Sequence, residues 1–212
     1  LAMVIVLAKQ PRPGRVKTRL TPALTAGQAS DVAAAALHDS LDAVDRVPAG
    51  RRVLAFDGDP AGWLRSGWRH VAQAEGGLDV RLAHAFRSAQ AAHPGPAVLV
   101  GMDTPQLRAE HLASWDPRTH GACLGLAADG GFWALGLADP DLAEAVLLGV
   151  PMSTERTGAL TLARLLALGI EVAMLDTLTD VDTVETACEV ARLVPHSRFA
   201  SALGTARLGR TA

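Results

Sequence analysis

Short apolar runs alternate with longer stretches of mixed polarity along almost the whole chain. Residues 3–8 read Met-Val-Ile-Val-Leu-Ala and are stopped by Lys9-Gln10-Pro11-Arg12-Pro13-Gly14. A β-branched run of that length, bounded by Pro and Gly, predicts a strand buried on both faces. The same signature recurs at 52–56, 68–72, 96–101, 122–127, 132–137 and 170–175. Between these runs the spacing of apolar positions predicts helices over 25–44, 78–92, 140–148, 157–168 and 184–193. Alternation of this kind predicts an α/β fold, a mostly parallel sheet sandwiched by helices. Residues after Pro195 read as a short helix or a loosely held end. There is no internal repeat and no low-complexity linker, so the organisation expected is one domain over 1–194 and a C-terminal tail over 195–212.

Composition narrows the partners. With 212 residues, 49% hydrophobic and 20% charged, the chain can bury a substantial core, and a chain this long buries about 70% of its unfolded surface. A net charge of −2 argues against nucleic acid or an anionic membrane as the principal partner. The first apolar run is too short, and lacks the basic leader, for a signal peptide; no apolar stretch is long enough to span a bilayer. Since the chain opens at Leu1, a few residues are expected ahead of it. Cys123 and Cys188 lie 65 positions apart and form no metal-spaced pair. A reducing cytoplasm fits this usage.

The positive charge is local. Lys9, Arg12, Arg15, Lys17 and Arg19 place five cations in eleven positions directly after the first strand. In open α/β sheets ligands sit at the carboxyl ends of strands, so this loop is where an anion is expected, a phosphate compound above all. Gly14-Arg15-Val16-Lys17-Thr18 is not a P-loop, because Val16 stands where that motif needs Gly. No Gly-x-Gly-x-x-Gly follows the strand, and no Gly-x-Ser-x-Gly elbow occurs anywhere. Asp103, Asp129, Asp180 and Asp182 also fall just after expected strands, so carboxylates and cations would converge along one sheet edge. Such a set holds a phosphate chain through a divalent cation: carboxylates take one side of the ion, phosphate oxygens the other, and cationic side chains neutralise the remaining charge. Plainer roles stand beside each residue. Asp103 could cap a helix starting near Gln106, Asp129 with Gly130-Gly131 makes a good hairpin turn, and Asp180 or Asp182 could cap the closing helix. Arg81 and His84, one turn apart, could be a solvated face, and Trp133 core packing.

Four motifs occur in order: Lys9-x-Pro11-x-Pro13-Gly14-x-Val16-Lys17-Thr18-Arg19-Leu20, Gly101-Met102-Asp103-Thr104-Pro105, Ala128-Asp129-Gly130-Gly131-Phe132 and Asp180-Val181-Asp182-Thr183. Together they resemble a bacterial glycosyltransferase-like family of unknown function, of the arsenosugar-biosynthesis type, within the nucleotide-diphospho-sugar transferase (GT-A) superfamily. The resemblance runs over about residues 3–192. It implies a GT-A, Rossmann-like three-layer sandwich with a mostly parallel mixed sheet. It also implies Mg²⁺ or Mn²⁺ on Asp103 and Asp182, with Lys17 and Arg19 meeting phosphates. Lys9, Arg12, Gly14, Arg15 and Thr18 complete the phosphate-side substrate set. Arg81, Thr104, Gly130 and Gly131 are the other substrate-binding candidates, and Asp129 is the candidate for work on the acceptor. Lys17-Thr18-Arg19-Leu20 also resembles the Lys-Ser-Arg-Leu of phospholactate guanylyltransferases. The chain departs from the family pattern at Met102 and Thr104, where Ser is usual, and at Phe132-Trp133, where Tyr is common; it contains no Tyr at all.

Three functions follow. A metal-dependent glycosyltransferase would grip a nucleotide sugar's diphosphate and pass the sugar to a small-molecule acceptor. A nucleotidyltransferase would use the same residues on a nucleoside triphosphate and a phosphorylated small molecule, releasing pyrophosphate. A non-catalytic nucleotide-binding protein would keep the fold and lose turnover. Glycosyl transfer leads the three, on the family likeness. The base, sugar, acceptor, stereochemical outcome and oligomeric state are not legible in this sequence.

Overall fold

The computed structural model describes residues 2–21 and 23–208; Leu1 and the last four residues of the expected tail lie outside the described residues. Seven strands form one sheet in the order β3-β2-β1-β4-β6-β5-β7. They are β1 (Met3–Lys9), β2 (Arg51–Asp57), β3 (Arg69–Ala72), β4 (Ala97–Val100), β5 (Ala122–Ala127), β6 (Phe132–Leu137) and β7 (Val172–Leu178). β6 runs antiparallel to its neighbours β4 and β5, while every other pairing is parallel. The fold is therefore the α/β three-layer arrangement with a mostly parallel mixed sheet.

The unbroken apolar run of β1 has a simple cause: both of its faces are covered. Val4, Val6 and Ala8 enter the core on the side of α1 (Ala26–Arg46) and α3 (Ala109–Ala113). Met3 and Ile5 enter the opposite core, under α2 (Leu78–Ala92), α4 (Ala143–Leu147) and α5 (Thr157–Ala167). Helix α1 starts where Thr25 accepts from the Gln28 amide at 3.2 Å while Gln28 Oε1 accepts from the Thr25 amide at 2.9 Å, a reciprocal cap. Its buried residues, among them Val32, Ala36 and Val44, recur at helical spacing.

Three elements differ from the sequence reading. The stretch expected to be helical from 140 opens with a short 3₁₀ turn, Pro140–Leu142, before α4. The last strand runs to Leu178, three residues beyond its apolar run, because β7 lies at the sheet edge beside β5 and leaves Asp176 and Thr177 exposed. Helix α3 starts at Ala109, so the helix expected near Gln106 begins later. After α6 (Val184–Leu193) the chain forms α7 (Arg198–Leu208), which buries Phe199, Leu203 and Ala206 against α1 and α6. Asp39 of α1 holds the start of α7 by accepting from the Phe199 amide at 2.8 Å and the Arg198 amide at 3.2 Å. Burial pushes the Cys123 thiol up to about 12, which leaves it unreactive in the folded protein.

Candidate active site

Because only β6 runs against the rest, the carboxyl ends of β1, β4, β5 and β7 open on one edge. A cavity of about 430 Å³ lies there. Its floor is the strand tips Leu7, Ala8, Leu99 and Gly101, and its polar wall is Lys9, Lys17, Arg19, Asp103, Asp180 and Asp182. The apolar side is made by Leu78 and Leu82 of α2, Phe132 and Trp133 of β6, and Met152.

Lys17 is the centre of the polar wall. Its side chain is only 6% exposed, and its Nζ stands 2.5 Å from Asp103 Oδ1 and 3.7 Å from Asp182 Oδ1. The ammonium also donates to the Val181 carbonyl. Its backbone adopts a left-handed conformation, φ 48° and ψ 39°. For a residue with a side chain that geometry costs on the order of 1–3 kcal/mol, so the surrounding contacts hold the loop in place. Arg19 Nη1 reaches Asp182 Oδ2 at 3.0 Å. The β4 and β7 tips are tied through the backbone, where the Val181 amide donates to the Asp103 carbonyl at 2.9 Å. A third carboxyl, Asp180, lies in the same wall. Burial pushes it up to about 7, with the charges of Asp103 and Asp129 adding and Lys17 opposing.

The alternative roles separate here. Thr183, not Asp180 or Asp182, caps α6, accepting from the Thr186 amide at 3.3 Å. The Asp103 carboxylate goes to Lys17, and the cap position of α3 is Arg108. Asp129 does serve its turn, since its Oδ1 accepts from the Gly131 amide at 2.8 Å, and it also lines the cavity with Gly131. Thr18 and Thr104 line the cavity too, and the buried Thr104 Oγ1 has no hydrogen-bond partner among the described residues. Arg81 faces the cavity, but His84 pairs with Ser88 at 3.3 Å and stays out of it. Arg12 and Arg15 line a separate hollow alongside. Trp133 is both core and wall: it is buried, and its Nε1 donates to the Asp176 carbonyl at 3.0 Å.

Two of the glycine candidates shape the site without lining it. Gly14 makes a turn of the basic loop at φ 74°. Gly130 is pressed on the loop between α4 and α5; a Cβ there would stand 2.1 Å from the Glu155 carbonyl oxygen, at φ +88°. The Gly158 amide closes the same contact by donating to the Gly130 carbonyl at 2.8 Å. Gly130→Ala is expected to cost roughly 2–4 kcal/mol, because backbone must move and the left-handed conformation disfavours a side chain. Urea unfolding checks this, and a loss under about 0.5 kcal/mol, within the range of an ordinary surface substitution, would show that the loop is not seated on the hairpin.

Four contributors carry no individual signal in the sequence. Gln73 ties two strand tips and Arg81 together, donating through Nε2 to Ala8 O at 2.7 Å and Ala55 O at 3.0 Å and accepting from Arg81 Nη1 at 3.3 Å. Met152, Ser153 and Thr157 bring the loop between α4 and α5 to the cavity, Ser153 with a positive φ of 57°. A glutamine inside mixed polarity carries no signal, and a loop residue with positive φ is visible from sequence only when it is Gly or Asn.

Among the described residues no group of three or more His, Cys, Asp or Glu side chains is placed to hold a metal by itself. Mg²⁺ asks for less, commonly one or two carboxylates with substrate phosphates and waters completing the shell. Asp103 and Asp182 fit that demand. Both turn an oxygen to one buried cation, the Lys17 ammonium.

Residues 31–154, more than half of the chain, match a family described as uncharacterized protein conserved in bacteria. The chain belongs to this family, DUF2064. No curated protein matches it. Among solved structures it is similar to a Desulfovibrio desulfuricans G20 protein provisionally described as a nucleotide-diphospho-sugar transferase, with a TM-score of 0.87, 24% identity, and 96% of this chain and 94% of that chain covered. CMP:2-keto-3-deoxy-manno-octonic acid synthetase complexed with CTP follows at a TM-score of 0.57 and 12% identity, covering 92% and 99%. A Mycobacterium tuberculosis H37Rv protein solved with manganese has a TM-score of 0.50 and 18% identity, covering 90% and 98%. At these identities the likenesses establish the fold. Among the described residues no helix is long and apolar enough to cross a membrane.

Proposed function

We propose that this DUF2064 member is a transferase acting on a nucleotide-activated substrate whose phosphate chain is held through Mg²⁺ or Mn²⁺ at Asp103 and Asp182. Glycosyl transfer from a nucleotide sugar to a small-molecule acceptor is the reaction we favour. The observation that carries the reading is the Lys17 ammonium buried between those two carboxylates, in a cavity at the carboxyl ends of the strands. Two acidic groups already organised around one positive charge, with further cations beside them, suit a phosphate–metal unit better than a neutral ligand. The metal, when bound, would supply charge that polarises the phosphate oxygens.

The protein's own groups divide the remaining work. Lys17 and Arg19 stabilise the charge that gathers on the departing diphosphate. The acceptor oxygen bonds to the anomeric carbon as the carbon–oxygen bond to the diphosphate breaks, and the bonding pair leaves with the phosphate. Asp129, at the rim of the cavity, takes the acceptor proton. Leu78, Leu82, Phe132 and Met152 offer the transferring group an apolar wall.

A second reading, nucleotidyl transfer with release of pyrophosphate, is favoured by the density of cations in the β1 loop and by the likeness to a CTP-bound synthetase. Product analysis separates the two. The protein is incubated with Mn²⁺ and either nucleotide sugars plus acceptors, or nucleoside triphosphates plus sugar phosphates. Nucleoside diphosphate release is the expected result; pyrophosphate release moves the second reading to the front. A metal-independent product would contradict both.

A further inference from the structure

Beside the main cavity lies a second hollow of about 270 Å³, lined by Lys9, Gln10, Arg12, Arg15, Asp57, Gly58 and Arg81. Lys9 and Arg81 face both spaces, whereas Arg12 and Arg15 face only this one. Arg52 and Arg164 are held by backbone carbonyls, and two guanidiniums of this hollow, those of Arg12 and Arg81, by side-chain amides. Arg19, Arg65, Arg87, Arg118 and Arg198 all lie on carboxylates. Arg12 is held by an amide instead, its Nε and Nη2 donating to Gln10 Oε1 at 3.1 and 2.6 Å. Arg81 is likewise held by Gln73 Oε1 at 3.3 Å, and its Nε is buried without a partner among the described residues. An amide oxygen fixes a guanidinium without cancelling its charge, which leaves a preorganised fork for an anion.

Both glutamines are anchored at the strand tips. Gln73 bridges the carbonyls of Ala8 and Ala55. Gln10 Oε1 accepts from the Asp59 backbone amide at 3.2 Å, and the Gln10 backbone amide donates to Asp57 O at 2.8 Å. Gly58 makes this possible. At φ +130° it lets the chain turn past Gln10, and a Cβ there would stand 2.6 Å from Gln10 Cβ and 2.8 Å from Oε1. Asp57 is the one carboxylate in the lining.

We infer that this hollow is a second anion site, which takes a phosphate group lying farther along the substrate than those at Lys17, with Gln10 and Gln73 as the positioning residues for its guanidiniums. The identity of the substrate rests on the proposed transferase function; the binding of the anion does not. That phosphate belongs either to the far end of the nucleotide's polyphosphate or to a phosphorylated acceptor.

Calorimetric titration with inorganic pyrophosphate, in EDTA, tests the site on the full chain. Gln10→Glu keeps the acceptor oxygen and so the fold, but neutralises Arg12; pyrophosphate affinity is expected to fall about tenfold or more. The Arg12→Gln/Arg15→Gln double variant should lose at least as much, and Asp57→Asn should bind several-fold tighter. Wild-type affinity in both Gln10→Glu and the double variant would overturn the inference. The same double variant is then titrated with nucleoside mono- and triphosphates and with sugar phosphates. Loss confined to triphosphates assigns the polyphosphate end; loss confined to sugar phosphates assigns the acceptor; loss for none overturns the site. Asp103→Asn provides the independent arm. If its nucleotide binding responds to Mn²⁺ as the wild type does, the transferase reading fails while the pyrophosphate result still decides the hollow.

Discussion

Asp103→Asn is expected to lower transfer activity by about 10²–10³-fold, the usual loss when a preorganised charge at a phosphate or oxyanion is removed. The substitution keeps the shape of the side chain, and the backbone tie from the Val181 amide to residue 103 does not involve the carboxylate. Only the charge facing the cavity goes. The Asp103 side chain is 45% exposed in its pair with Lys17; an ion pair that open contributes no more than about 1 kcal/mol, so the melting temperature should fall by roughly 2–4 °C or less. Activity assayed with Mn²⁺ beside a melting curve checks both halves. Near-wild-type turnover would remove Asp103 from the chemistry, and a collapsed melting curve would make it a structural residue.

Lys17→Met should have the second large effect, of two signs. The ammonium now compensates Asp103 and Asp182, with Asp180 close by in the same wall. Without it the metal-free protein is expected to lose roughly 2 kcal/mol, less than a fully buried pair would cost, because water still reaches both carboxylates. Transfer should fall with it, since the group meeting the departing phosphate is gone. Mn²⁺ alone should then raise the variant's melting temperature more than the wild type's, because the ion no longer competes with an ammonium for the two carboxylates. A variant that Mn²⁺ stabilises no better than the wild type would show that Asp103 and Asp182 do not form a cation site.

The sheet was legible because its strands are buried on both faces and therefore read as unbroken apolar runs, as in β1 and β4. Where an edge strand lacks that cover the signal weakens, which is why β7 extends through Asp176 and Thr177 past its apolar start. The convergence of Lys17, Asp103, Asp129 and Asp182 was legible for a geometric reason: strands that run the same way end on the same edge, and each of these residues follows one. What the pattern did not carry were contacts made by neutral groups. Gln10 and Gln73 act through amide oxygens on guanidiniums that are close only in space, and Gly130 acts by having no side chain beside the Glu155 carbonyl. Nor did the spacing of five cations show that they divide, Lys17 and Arg19 to the cavity and Arg12 and Arg15 to the hollow.

The cation site proposed at Asp103 and Asp182 holds a phosphate chain only if metal ion and nucleotide bind there together. Its most direct test is the melting temperature of the wild type and of Asp103→Asn with nucleoside di- and triphosphates and nucleotide sugars, each with and without Mn²⁺. A ligand at 100 times its dissociation constant adds about 2.7 kcal/mol, a shift of several degrees. The expected result is a nucleotide that stabilises the wild type only together with Mn²⁺ and stabilises Asp103→Asn little or not at all. Equal stabilisation of both proteins, or stabilisation indifferent to Mn²⁺, would contradict it.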